Sequence, residues 1–211
     1  KKGQAIVDLN YAAIDAGKTD IKFAASETSY DLSAASINIT RSMHINGEVV
    51  NGKYPVVKIK QLDLAGEIGT LLIENLELTG GDCLLNVAGQ VTAKQIVVRN
   101  CVVDGLAKSI YYNANSTDAQ KATSVTSLVL KNVVAKNLGS GQGTIDIRAG
   151  AYTNISVEHC TIVGGRDFIR ADKGFVTGGI NVDNNVFDGA NNGKNSNGIL
   201  YVRSEGLSYS A

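Results

Sequence analysis

The sequence predicts an all-β fold in which single strands wind into a parallel β-helix, a solenoid of stacked coils. Three observations predict it: a repeat of 25 to 32 residues, alternation of apolar and polar residues within each repeat, and a chain rich in glycine with one proline and no tryptophan. Repeats of this length are typical of solenoids. A period of two indicates strands, because a helical face would repeat every 3.6 residues.

Five segments carry the repeat around an anchor residue, with apolar residues four and two positions before it and three after it. A glycine or asparagine follows at the fifth position. The anchors are Asn75, Asn100, Asn132, His159 and Asn184. Asparagine suits a corner because it tolerates left-handed backbone and its amide can bond the next coil. We therefore expect the anchors to stack as a ladder in which His159 is also a turn residue.

The length fits one domain, residues 1–211. Residues 4–16 place apolar side chains at helical spacing and stop before Gly17, which predicts a helix inside an N-terminal cap (1–20). Coils are predicted from residue 21 to 211, and either further coils or a partner are expected at the C-terminal end.

Composition argues against some classes of partner and against a disulfide. Twenty acidic and twenty basic residues cancel, so no global field favours nucleic acid. No apolar run reaches the roughly 20 residues of a membrane span. Cys101 and Cys160 hold equivalent positions two coils apart, beyond disulfide reach, so three buried thiols are expected.

A second strand follows the repeat in each coil and carries the predicted binding surface. Aligning these strands with one another gives a column of Asn86, Asn113, Arg148, Arg170 and Arg203. Residues two positions earlier are expected to point outward as well. The predicted ligand is an acidic polysaccharide, with arginines pairing carboxylates and aromatic rings stacking on sugars. The predicted substrate-binding residues are Tyr111, Asp146, Arg148, Phe168, Arg170, Tyr201 and Arg203.

The coils and the asparagine ladder resemble the pectate-lyase-like superfamily of right-handed β-helices, over roughly residues 36–204. Residues 160–169, CTIVGGRDFI, look like the pectin methylesterase signature, in which the aspartate is the nucleophile. The resemblance gives that role to Asp167. The chain departs from the family in having Arg170-Ala171 after the triplet, and Gln142-Gly143-Thr144 where an acid/base aspartate is expected. The Asp-Asp pair and Gly-His-Gly motif of the superfamily's hydrolases do not occur.

Three functional hypotheses stay open beside polysaccharide binding. A uronate lyase would need Ca²⁺, for which Asp146, Asp167 and Asp172 offer oxygens, and a base such as Arg170 or Lys173. An esterase would use Asp167. A structural spacer or adhesin would have its arginines paired with the three aspartates. Only the lyase hypothesis implies a cofactor.

The run Arg166–Arg170 also resembles gut-bacterial β-helix domains. Such domains are expected in polysaccharide-degradation settings. This resemblance implies an extracellular, cell-surface or periplasmic location.

Overall fold

The computed structural model describes residues 19–173, 175–189 and 200–202. They form a parallel β-solenoid of about 7 turns, so the predicted fold class is confirmed. The predicted N-terminal helix, residues 4–16, lies outside the described residues.

Three parallel sheets form the faces of the solenoid, and three long strands bend from one face to the next. The long strands are β6 (Leu62–Glu74), β8 (Leu85–Asp104) and β10 (Ser124–Leu138). Face one contains β1 (Asp20–Phe23), β4 (Met43–Gly47), β12 (Ala151–Glu158) and β15 (Phe175–Asp183). Face two contains β2 (Tyr30–Leu32), β5 (Val56–Ile59), β7 (Glu77–Thr79), β13 (Thr161–Gly164) and β16 (Val186–Asp188). Face three contains β3 (Ile37–Ile39), β9 (Tyr111–Asn113), β11 (Ile145–Ile147), β14 (Ile169–Ala171) and β17 (Leu200–Val202).

The apolar residue four positions before each anchor stacks on its equivalent in the next coil. On face one this column continues through five coils, and all its members are buried: Leu71, Ile96, Leu128, Ile155 and Ile180. Stacking like side chains at about 4.8 Å lets each coil complete the core of its neighbours.

All five anchors have left-handed backbone, with φ between 49° and 58°. Asn132 Nδ2 donates to Asn100 Oδ1 at 3.1 Å, which joins two consecutive coils. His159 has φ 53°, and its backbone N–H donates to Asp183 O, so the predicted turn role is confirmed. The three cysteines are buried free thiols, as predicted.

One helix, α1 (Asp118–Lys121), interrupts the coils between β9 and β10. Thr117 caps it: the Thr117 side chain accepts from Gln120 N, while the Gln120 side chain accepts from Thr117 N. The Gln120 side chain also donates to Val87 O, a buried bond that fixes the insertion to β8.

The predicted alignment of the face-three strands is wrong. Arg170 is in register with Asp146 and Tyr201, rather than with Arg148 and Arg203. In the observed register, the buried residues on either side of Arg170 are aligned with the buried residues on either side of Asp146. Arg203 lies outside the described residues.

Candidate functional site

The outward residues of face three form a ladder through seven coils. Its members are Asn38, Asp63, Asn86, Tyr112, Asp146, Arg170 and Tyr201. The last four combine aromatic rings with opposite charges, and we call them the face-three ladder. This surface is where the sequence placed the binding site.

Asp146 is the electrostatic centre of the ladder. Its side chain is fully buried, and its oxygens accept from Arg148 Nε at 2.9 Å and Arg148 Nη2 at 3.0 Å. The Gly143 amide donates to the same carboxylate, and Arg170 Nη1 lies 3.9 Å from it. Gln142 also contacts Arg148 through its side-chain oxygen. The carboxylate therefore orients two guanidiniums from consecutive coils.

Arg170 and Asp172 form a second ion pair beside the first. Arg170 Nη2 donates to Asp172 Oδ2 at 2.7 Å, and both side chains are largely buried. Burial lowers the pKa of Arg170, but the hydrogen bond to Asp172 and the charges of Asp146 and Asp167 outweigh it and raise that pKa above its ordinary value. Arg170 is thus held in its protonated form, whereas a lyase base must give up its proton.

Two half-buried tyrosines lie at the ends of the ladder. The Arg148 guanidinium carbon is 5.5 Å from the centroid of the Tyr112 ring, and that of Arg170 is 5.4 Å from the Tyr201 centroid. These are cation–π distances. The rings and guanidiniums form one continuous surface, and Tyr201 stays on it as predicted.

The predicted exposure of Tyr111 and Phe168 is wrong, because both side chains are buried. The Tyr111 hydroxyl lies 3.0 Å from the Tyr152 hydroxyl, and Phe168 stacks on Phe187 with ring centroids 5.1 Å apart. Tyr112, between the buried residues Tyr111 and Asn113, points outward.

The orientation of Asn113 explains why Tyr111, two residues earlier on the same strand, points inward. It points inward although it is polar, because its amide donates to Ala149 O at 2.7 Å and to the Tyr152 hydroxyl at 3.0 Å. The buried amide nitrogen is thus satisfied, whereas the side-chain oxygen Oδ1 has no hydrogen-bond partner among the described residues.

Asp167 is fully buried, and Arg166 binds one of its oxygens through Nε and Nη2, both at 2.9 Å. Its backbone carbonyl accepts from Thr144 N, which places Gln142-Gly143-Thr144 one coil away. A nucleophile must reach its substrate, and this carboxylate is covered.

The Ca²⁺ site suggested by Asp146, Asp167 and Asp172 is not formed. Each carboxylate contacts an arginine. Within residues 19–173, 175–189 and 200–202, no three acidic, histidine or cysteine side chains are grouped to hold a metal.

An open pocket of about 360 Å³ adjoins the ladder where face three turns into face one. Asn115, Lys121 and Lys173 line it together with the backbone of residues 149–151. Lys173 is exposed, with φ 68°, and makes no ion pair in the part of the chain that the structure describes. Lys121 Nζ donates to Asp118 at 2.8 Å. We call this depression the lysine pocket.

A second open pocket, of about 340 Å³, lies further along the same corner. Its lining includes Glu67, Thr92, Lys94, Ser124 and Thr126. We call it the hydroxyl pocket.

A comparison with models of protein families shows which family the chain belongs to. Residues 28–164 match the family described as a domain of unknown function, DUF4957, over about two thirds of the chain. The chain belongs to the DUF4957 family. Comparisons with curated proteins and with solved structures find no match.

The DUF4957 match divides the candidate site. Tyr112, Lys121, Asp146 and Arg148 lie within the matched residues. The segment with Asp167, Arg170, Asp172 and Lys173 follows the match. No helix in the described ranges is long and apolar enough to cross a membrane.

Sequence reasoning missed Tyr112, Asn115, Lys121 and the hydroxyl pocket. The polar insertion of residues 114–123 was a usable signal, since long loops beside a rigid sheet often carry binding residues. No comparable signal marks Thr92 or Ser124, because their proximity depends on how the coils stack.

Proposed function

We propose that this chain binds an acidic polysaccharide at the face-three ladder and the adjoining lysine pocket. The observation that carries the proposal is the lysine pocket itself. Two ammonium groups and an amide line a depression whose volume lies within the roughly 300–1,000 Å³ of small-ligand sites.

The pocket and the ladder are continuous. Arg148 immediately precedes the pocket backbone at Ala149, and Asp172 immediately precedes Lys173. The Asp172 amide donates to Ile147 O at 2.7 Å, which joins the two coils at this point. A sugar bound over Tyr112 or Tyr201 would therefore lie beside the lysines.

Charge favours an anionic ligand at the pocket rather than along the whole ladder. Arg148 and Arg170 are already paired with Asp146 and Asp172, so they add little net charge. Lys173 supplies the excess positive charge at the lysine pocket. The paired guanidiniums keep further N–H groups that can donate to sugar hydroxyls in fixed directions.

Binding without turnover is favoured over the two enzymatic alternatives. The raised pKa of Arg170 opposes its use as a lyase base, and burial of Asp167 opposes nucleophilic attack. An acidic polysaccharide ligand would place the chain outside the cell, on its surface or in the periplasm.

A structural spacer is the second candidate, because one observation favours it. Arg148, Arg166 and Arg170 are each paired with an aspartate, which is the arrangement expected of a spacer. The two candidates differ in whether the lysine pocket takes a ligand.

Affinity electrophoresis through gels containing polygalacturonate, alginate or a neutral glucan tests the proposal. We expect the wild type to be retarded by a uronate polymer, and Lys173→Ala and Lys121→Ala to migrate more freely. Lys60→Ala is the matched control, because it removes one exposed charge elsewhere. Retardation unaffected by either pocket variant would contradict the proposed site.

Absence of retardation in every gel would favour the spacer. The same polymers, incubated with and without Ca²⁺, would reveal a lyase by a rise in ultraviolet absorbance from unsaturated ends. We expect no such rise.

A further inference from the structure

The hydroxyl pocket and the lysine pocket share one line of residues on the solenoid. Glu67, Thr92, Ser124 and Ala151 are register partners on four consecutive coils. The first three line the hydroxyl pocket, and Ala151 lines the lysine pocket. Phe175, two residues after Lys173, continues the line on the fifth coil.

This line runs parallel to the solenoid axis. Coils stack about 4.8 Å apart, so the distance from the Glu67 coil to the Lys173 coil is about 19 Å. A line of this length has room for several linked sugars rather than for one.

The two pockets differ in charge. Glu67 and Lys94 cancel in the hydroxyl pocket, where Thr92, Ser124 and Thr126 contribute hydroxyl groups. Lys173 gives the other pocket an excess positive charge, because the second lysine there, Lys121, is paired with Asp118. A ligand that fills both would place hydroxyls in the first pocket and an acidic group in the second.

We infer that a linear uronate-containing chain lies parallel to the solenoid axis and occupies both pockets at once. The polysaccharide is bound along its length, with a carboxylate at Lys121 and Lys173 and uncharged ring edges at Thr92 and Ser124. This inference rests on the proposed function and adds to it the ligand's length and direction. A site for a single sugar would need only the lysine pocket.

Calorimetric titration with oligogalacturonates of increasing length tests the inference on the wild-type protein. Affinity should rise at least about tenfold between two and five sugars and then level off. Adding a tryptophan to the hydroxyl pocket, as Thr92→Trp, should reduce the five-sugar affinity to that of the two-sugar ligand and leave the latter unchanged. Ser124→Tyr serves as a second, smaller obstruction.

Val163→Trp provides the matched control, because Val163 is exposed on face two, away from the line. Equal affinity for all lengths, with binding still weakened by Lys173→Ala, would overturn the inference and leave the proposed function intact. Failure of every oligomer and polymer to bind would overturn both.

Discussion

Asp146 and Arg170 occupy equivalent positions on consecutive coils, and their charged groups lie 3.9 Å apart. Asp146 is fully buried, and its carboxylate also holds Arg148. Arg148 and Arg170 thus belong to a preorganised network of ion pairs, in which each cation balances a buried or largely buried carboxylate.

Removing Arg170 should destabilise the fold. Arg170→Ala leaves Asp146 and Asp172 with one cation fewer, and breaking a buried pair from one side costs about 3 kcal/mol. Urea unfolding measures the loss. Lys58→Ala is the control, because its pair with Asp31 is more than half exposed and should contribute at most about 0.5 kcal/mol. Equal losses in the two variants would contradict the role given to Arg170.

Glu74 should make stability sensitive to acid. Burial raises its pKa, but hydrogen bonds from Arg99 and His44 outweigh burial and lower the pKa from its ordinary value of 4.5. The carboxylate of the folded chain is the stronger acid, so its contribution is present above pH 4.5 and is lost as pH falls through the lower folded-state value. Glu74→Gln should therefore lose less stability than the wild type below pH 4.5.

Denaturant unfolding at a series of acidic pH values measures the difference for Glu74. Glu77→Gln is the control, because Glu77 makes no ion pair within the described ranges. It should follow the wild-type pH dependence. Parallel curves for the wild type and Glu74→Gln would refute the assignment.

The buried tyrosine pair should make the fold sensitive to alkali. Burial raises the pKa of Tyr152 to about 12 and that of Tyr111 well above its ordinary value of 10. The unfolded chain releases these protons first, so stability falls as pH rises from 10 towards 12. Tyr111→Phe removes one such group, and its unfolding free energy should fall less steeply over this range. An unchanged slope would show that Tyr111 titrates normally.

Left-handed backbone at the anchors should distinguish glycine from alanine. Asn132 has φ 51°, a conformation that costs a residue with Cβ about 1 kcal/mol. Asn132→Gly and Asn132→Ala both lose the amide bond to Asn100, so their difference is the strain of alanine at positive φ minus the larger entropy that glycine loses on folding. Asn132→Ala should be less stable by about 1 kcal/mol in thermal unfolding. Equal stability would mean that the backbone relaxes at this corner.

The features of the fold that were predicted correctly depend on patterns among residues close together in the sequence. Apolar alternation marked Leu71, Ile96 and Leu128 as one buried column, and asparagine at the corners predicted the left-handed backbone. Both signals are local, because they depend on which side of a strand a residue faces and on the conformations its own backbone allows.

The face-three site was predicted less well, because its details depend on neighbours. Asn113 is polar yet points inward, since the amide bonds Ala149 and Tyr152 from another coil. Because Asn113 points inward, Tyr111 also points inward and Tyr112 points outward. Asp146 was placed on the correct side of its strand, but its burial beneath two arginines was not foreseen.

Local pattern in the sequence was enough to predict that this chain is a β-solenoid, where its coils turn, and which apolar residues of the repeat form the buried column of face one. Contacts between coils settled the rest: the arginines are neutralised, Tyr112 replaces Tyr111 on the surface, and Thr92, Ser124 and Lys173 border one line. The reason is physical: a repeat defines each coil from within, whereas charge pairing and pocket shape arise between coils whose insertions differ in length.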